Sequence, residues 1–171
     1  MRKKYIGIGM VVLLTLAVTA VGGKLPAFRV NWLGKPPGFK GKIVIMHFLG
    51  NPLSGTKRER DRLERKNVPV INLLHDLREE MGDNGDVVIV GYTGARPKAI
   101  KTWAEANGVN YPLGCGLPNL HAMKMAGVNG YPTVNVYDHN CIQLFSGVPS
   151  QRDKRFKDTL QKGLDRLFAA R

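Results

Sequence analysis

Residues 127–138, Gly-Val-Asn-Gly-Tyr-Pro-Thr-Val-Asn-Val-Tyr-Asp, constrain the fold more than any other stretch of the chain. A glycine-rich segment runs into Pro132, and an alternating run rich in β-branched residues follows at once. Proline has no backbone N–H, so it belongs at a strand's first residue or an edge, not inside a central ladder. A cis Tyr131–Pro132 bond would make a sharp turn at this point. The stretch therefore predicts a turn that delivers the chain into a strand beginning at Thr133.

The rest of the pattern fits around that strand. Residues 24–40 are rich in Pro and Gly, with Leu25, Phe28, Val30, Trp32 and Phe39 as apolar points. They predict an irregular arm with at most a short edge strand. Residues 43–49 (Ile-Val-Ile-Met-His-Phe-Leu) and 86–92 are short apolar runs of the kind buried on both faces of a sheet. Residues 56–66 are densely charged and predict an exposed helical turn or loop, interrupted at Asn67-Val68-Pro69. Val70, Ile71, Leu74, Leu77 and Met81 then recur at helical spacing, closed by the turn at 82–85. Pro97 opens a helix that ends at Asn107-Gly108. A short strand is expected within 109–113, and a small helix from Pro118 with Leu120 and Met123 facing inward. After the strand at 133–137, a turn at 138–140 predicts a hairpin with 141–145. A final helix places Phe156, Leu160, Leu164, Leu167 and Phe168 on one face. A βαβ half followed by a ββα half predicts an α/β sandwich with a mixed sheet, in one domain.

The N-terminus reads as an export segment. Arg2-Lys3-Lys4 is a basic start, residues 6–16 are apolar, and Val18-Thr19-Ala20 offers small residues for cleavage. Residues 5–23 carry no charge, so a retained membrane anchor is the alternative. The expected organisation is a signal peptide or anchor over 1–23 and a folded domain over 24–171, outside the cytoplasm. The net charge of +13 favours an anionic partner or surface, with solubility alone as the alternative. No basic nucleic-acid module is recognisable, so no nucleic acid is expected.

The chain resembles the thioredoxin-like superfamily, in particular its exported thiol–disulfide oxidoreductase and redoxin branch. The resemblance covers residues 25–168 and rests on three motifs. Gly41-Lys42 opens the strand Ile43-Val44-Ile45-Met46-His47-Phe48, Val128-Asn129-Gly130-Tyr131-Pro132-Thr133 matches the family's cis-Pro turn, and Asp138-His139-Asn140 precedes the last hairpin strand. The helix and strand from Pro97 to Leu113 match the insertion of the exported branch. The resemblance implies a thioredoxin-like sandwich, a mixed central sheet flanked by helices with a cis-Pro turn.

One departure separates this chain from the family pattern. The family carries Trp-Cys-x-x-Cys just after the first core strand, at a helix N-terminus that lowers the first thiol's pKa. Here residues 49–56 read Leu-Gly-Asn-Pro-Leu-Ser-Gly-Thr, without cysteine. The only cysteines are Cys115 and Cys141, which allow a disulfide, a reactive thiol, or two unpaired thiols. Ser54 and Thr56 suit helix capping better than nucleophilic attack, since no general base accompanies them. His47, His75, His121 and His139 form no metal-ligand spacing, so neither metal nor cofactor is expected.

These readings predict an exported thioredoxin-like protein without the dithiol, acting as a binding or accessory domain for a protein partner or membrane assembly. No catalytic residue is assigned. The expected groove is formed by Leu49, Asn51, Pro52, Leu53, Ser54, Tyr131 and Pro132. The basic run Lys57, Arg58, Arg60, Arg62, Arg65 and Lys66 is either a docking element or a solvated face. The alternative function is a divergent oxidoreductase or redoxin that uses Cys115 or Cys141.

Overall fold

The computed structural model describes residues 25–81 and 85–171. The export segment and most of the turn expected at 82–85 lie outside these residues, as does the side chain of Met123. The elements, in chain order, are β1 (Asn31–Leu33), β2 (Ile43–Gly50), α1 (Lys57–Met81), β3 (Val87–Thr93), α2 (Pro97–Ala106), β4 (Leu113–Cys115), α3 (Asn119–Ala126), β5 (Thr133–Tyr137), β6 (Gln143–Gly147) and α4 (Lys154–Ala169).

One six-stranded sheet has the order β1-β4-β3-β2-β5-β6. Strands β2, β3 and β4 are parallel, while β1, β5 and β6 each run antiparallel to their neighbours. Strand β2 lies at the centre and is buried along its whole length, as its unbroken apolar run requires.

The alternation of β2 divides the core into two layers. Ile43, Ile45 and Leu49 face α1, α2 and α4, whose Ile71, Leu74, Ile100, Ala104, Phe156, Leu160 and Leu167 complete one cluster. Val44, Met46 and Phe48 face the other way, toward α3 and the N-terminal arm. On that side Phe48 stacks on Tyr92 with ring centroids 5.5 Å apart, and Phe28 meets both rings edge-on. The arm is thus the hydrophobic cover of a sheet face that α3 alone is too short to close.

The helices differ from the sequence expectation in three places. Residues 57–81 form one continuous helix, with Pro69 inside it. Pro69 is exposed, so the hydrogen bond it removes belongs to the solvent side, where water replaces it. Leu120 is 56% exposed and Phe168 53% exposed, so neither faces inward. Ala122 and Ala126 carry the inner face of α3 instead, and Gly163 lets α4 approach Leu144 and Ile43. The strand expected within 109–113 is the three-residue β4, beginning at Leu113. The hairpin turn runs through Ile142, whose N–H donates to Asp138 Oδ1, so β6 covers 143–147 rather than 141–145, with a bulge opposite Val136 and Tyr137.

Candidate functional site

The site is built where β2, β3 and β5 bring their ends together. Strand β2 finishes at Gly50 with φ +75°, a left-handed conformation that favours glycine. The Gly50 carbonyl accepts hydrogen bonds from Thr93 Oγ1 (2.6 Å) and Gly94 N (3.1 Å), which fix it to the end of β3. On its other side lies Tyr131. A Cβ at Gly50 would sit 2.9 Å from Tyr131 Cγ. The Tyr131–Pro132 peptide bond is cis, and β5 then begins at Thr133, paired with Phe48. The Tyr131 hydroxyl donates to Asn119 Oδ1 at 3.0 Å, tying the turn to the start of α3. Burial pushes the Tyr131 phenol up from its ordinary pKa.

Beyond Gly50 the chain makes a tight turn. Asn51 Oδ1 accepts from Leu53 N (3.2 Å), and Asn51 O accepts from Ser54 N (3.2 Å), the side-chain-to-backbone pattern that stabilises Asn in turns. Helix α1 then starts with a capping box. Glu59 Oε2 accepts from Thr56 N (2.7 Å) and from Thr56 Oγ1 (2.8 Å), and Glu59 N donates to Thr56 Oγ1 (3.3 Å). The Thr56 backbone bond, then its hydroxyl, holds the Glu59 carboxyl below its ordinary pKa. A carboxylate is therefore seated at the positive end of the helix.

A buried polar cluster lies beneath this turn. His47, with no exposed surface, meets the Tyr111 hydroxyl through Nδ1 at 2.8 Å. Burial lowers its pKa to about 3, opposed in smaller measure by the Asn67 side chain. Asn67, on α1 and also fully buried, donates through Nδ2 to Leu63 O (2.9 Å) and Leu49 O (3.2 Å).

The residues expected to form a groove divide into two groups. Leu49, Pro52 and Pro132 are buried, Asn51 and Tyr131 are half-buried, and Leu53 and Ser54 are exposed. Leu49 belongs to the core rather than to a groove wall. The Tyr131 ring, packed on Gly50, fills the side of the loop that faces the cis-Pro turn. The open concavity is on the other side. Asn51, Leu53 and Ser54 face Gly94, Ala95, Arg96 and Ala99 across about 340 Å³. Gly94 and Arg96 carry no motif that marks them in sequence; only the β3–α2 junction places them here. The Thr56-x-x-Glu59 pair, by contrast, is a readable capping signature.

The basic run lies on the first turns of α1. Arg58, Arg62 and Arg65, at i, i+4 and i+7, share its outer face, opposite the buried Asn67. Lys57 and Lys66 are exposed beside them. Arg60 is not part of that face, because its Nη1 donates to Gly55 O at 2.7 Å and braces the helix start. The cysteines do not pair, and both are free. Cys115 ends β4 opposite Thr93, at the same end of the sheet as Gly50. Cys141 is in the β5–β6 turn at the other end, beyond Tyr137, which pairs with Val44. Cys115 has no exposed surface, and burial pushes its thiol up. A larger concavity of about 720 Å³ lies between α1 and α4, floored by Leu73, Leu77, Phe156 and Leu160, away from this site.

No protein-family model and no curated protein matches the chain. Solved structures do match. A thioredoxin-like superfamily protein is similar over 83% of this chain and 96% of its own, with TM-score 0.62 and 13% identity. A thiol-disulfide isomerase from Corynebacterium glutamicum is similar over 84% and 96%, with TM-score 0.59 and 18% identity. A thiol-disulfide oxidoreductase from Bacteroides fragilis is similar over 72% and 82%, with TM-score 0.55 and 15% identity. The fold of this chain is thioredoxin-like. Among the described residues no helix is long and apolar enough to cross a membrane.

Proposed function

We propose that this chain is a thioredoxin-like binding domain without dithiol chemistry, serving outside the cytoplasm as an accessory component for a protein partner or membrane-associated assembly. The observation that carries this reading is the Thr56–Glu59 capping box. A thiolate at this helix end would need the unsatisfied N–H groups and the positive dipole. The Glu59 carboxylate takes the Thr56 N–H and sits at the dipole's positive end, and a thiolate placed there would meet a like charge. The alternative, an oxidoreductase using Cys115 or Cys141, has less support. Cys115 is sealed in the core, and Cys141 is at the opposite end of the sheet.

What remains at this end is a recognition surface. Leu53 and Ser54 are presented beside the concavity that reaches Arg96, and the Arg58, Arg62 and Arg65 face lies on the helix that follows. An anionic partner fits this distribution. Exposed charges of this kind act mainly on association rate and salt dependence. The test is co-purification of the full chain from intact membranes at rising salt, beside a variant carrying Arg58→Gln, Arg62→Gln and Arg65→Gln. Loss of the partner both with salt and with the triple substitution supports the reading. Retention unaffected by either contradicts it.

A further inference from the structure

The acidic residues of this chain are unevenly placed. All 13 lie within 59–105 and 138–171, the stretches that build α1, β3, α2, β6 and α4. None lies in 25–58 or 106–137. Those two stretches include the N-terminal arm and α3, which both pack on the Val44, Met46 and Phe48 face of the sheet. Helices α1, α2 and α4 cover the other face. One layer of the sandwich therefore mixes both signs of charge, and the other carries cations without acids.

The cations of that second layer are exposed. In the arm Phe28, Val30 and Trp32 are half-buried against the core, and the intervening Ala27, Arg29 and Asn31 are exposed. Lys40 is exposed next to the half-buried Phe39, and Lys35 is exposed in the loop between β1 and β2. Helix α3 turns Ala122 and Ala126 inward, which leaves Leu120, His121, Lys124 and Met125 outside. Leu120 at 56% and Met125 at 47% exposed are large apolar groups in water on either side of Lys124. Among the described residues no ion pair engages Arg29, Lys35, Lys40 or Lys124.

We infer that the layer of α3 and the arm is a lipid-facing surface that rests on an anionic phospholipid bilayer, with Leu120 and Met125 at the acyl boundary and Arg29, Lys35, Lys40 and Lys124 at the headgroups. Exposed apolar side chains set beside lysine suit a membrane interface. Basic residues are drawn to an anionic leaflet, and an acid-free layer meets no repulsion there. Chain connection favours lipid over an acidic protein. Leu25 packs on this same layer, and only Lys24 separates it from residues 5–23, an apolar stretch without charge. A stretch of that composition partitions toward a membrane, and it is joined to this layer rather than to α1. The inference does not depend on what the Arg58, Arg62 and Arg65 face binds.

The test is amine labelling of the full chain mixed with vesicles of phosphatidylcholine, alone or with phosphatidylglycerol, read lysine by lysine by mass spectrometry. Labelling of Lys35, Lys40 and Lys124 should fall about fivefold on the anionic vesicles, the factor that one basic group's attraction to such a surface gives. Lys98, Lys101 and Lys154, on the opposite layer, should label equally on both. Leu120→Gln with Met125→Gln, at exposed positions, should remove most of the protection at Lys124. Equal labelling of Lys124 on the two vesicles overturns the inference. Protection of the same size by soluble polyglutamate also overturns it, in favour of an acidic-protein site. Protection that vanishes with Arg58→Gln, Arg62→Gln and Arg65→Gln overturns it in favour of lipid contact through α1.

Discussion

The Tyr131 ring rests on the α-carbon of Gly50, so close that a Cβ there would lie 2.9 Å from Tyr131 Cγ. This contact joins the end of the central strand to the cis-Pro turn and decides which side of the 51–54 loop is open. Gly50 is also held at φ +75°. Gly50→Ala should therefore lose about 2–4 kcal/mol, combining left-handed backbone cost with overpacking. Denaturant unfolding measures the loss. Adding Tyr131→Ala should recover the packing part and leave the backbone part, and a simple sum of the two single losses would argue against the contact.

The capping box gives a second expectation. Thr56→Ala should cost about 1 kcal/mol, seen as a lower denaturant midpoint at unchanged slope. Glu59 contributes its share only while ionised. Its pKa is lower in the folded state, so that share is present above the ordinary carboxylate range and fades as pH falls through it. The stability difference between parent and Glu59→Gln should accordingly shrink on acidification, and a difference that grows would contradict the assignment.

His47 predicts an acid-sensitive core. Its pKa falls from 6.5 to about 3 in the folded protein. The unfolded chain binds a proton below 6.5 that the folded ring refuses, so stability is full above about pH 6.5 and declines toward pH 3. The decline attributable to this residue reaches ~5 kcal/mol at its limit. His47→Gln keeps one donor and one acceptor without a titrating ring, and its stability profile should be flatter across that window. Parallel profiles for the two proteins would remove His47 from the account.

Much of the fold was legible because its signals are local. The apolar runs of β2 and β3, the glycine-to-proline transition before β5 and the amphipathic α4 all depend on neighbouring residues. The failures have physical causes. Pro69 read as a helix breaker because a sequence does not reveal whether the carbonyl it orphans faces water. Leu120 and Phe168 fit their helical stripes yet stand exposed, because inward orientation depends on what the helix packs against. The site was half legible. Its loop and turn were recognisable, and the missing cysteines were plain. The cluster of His47, Asn67 and Tyr111 was not, since His47 meets Tyr111 across 64 positions and Asn67 reaches the Leu49 carbonyl across 18, with no motif linking them. The open side of the loop was misplaced for the same reason, being set by the Gly50–Tyr131 contact.

If the backbone at α1 still suits thiol chemistry, restoring residues should restore some of it. Leu53→Cys with Thr56→Cys creates a Cys-x-x-Cys pair at the helix N-terminus. Reduction of a disulfide substrate should then appear, and Glu59→Gln in that background should raise the rate by relieving the carboxylate's charge beside the thiolate. A folded double variant as inert as its parent would mean that more than the side chains has been lost.

The most direct measurement compares disulfide exchange by the full-length protein with that of a Cys115→Ser, Cys141→Ser variant. A binding domain without thiol chemistry predicts the same background rate for both, with partner association undiminished in the cysteine-free protein. Turnover above background that disappears with the cysteines would contradict it.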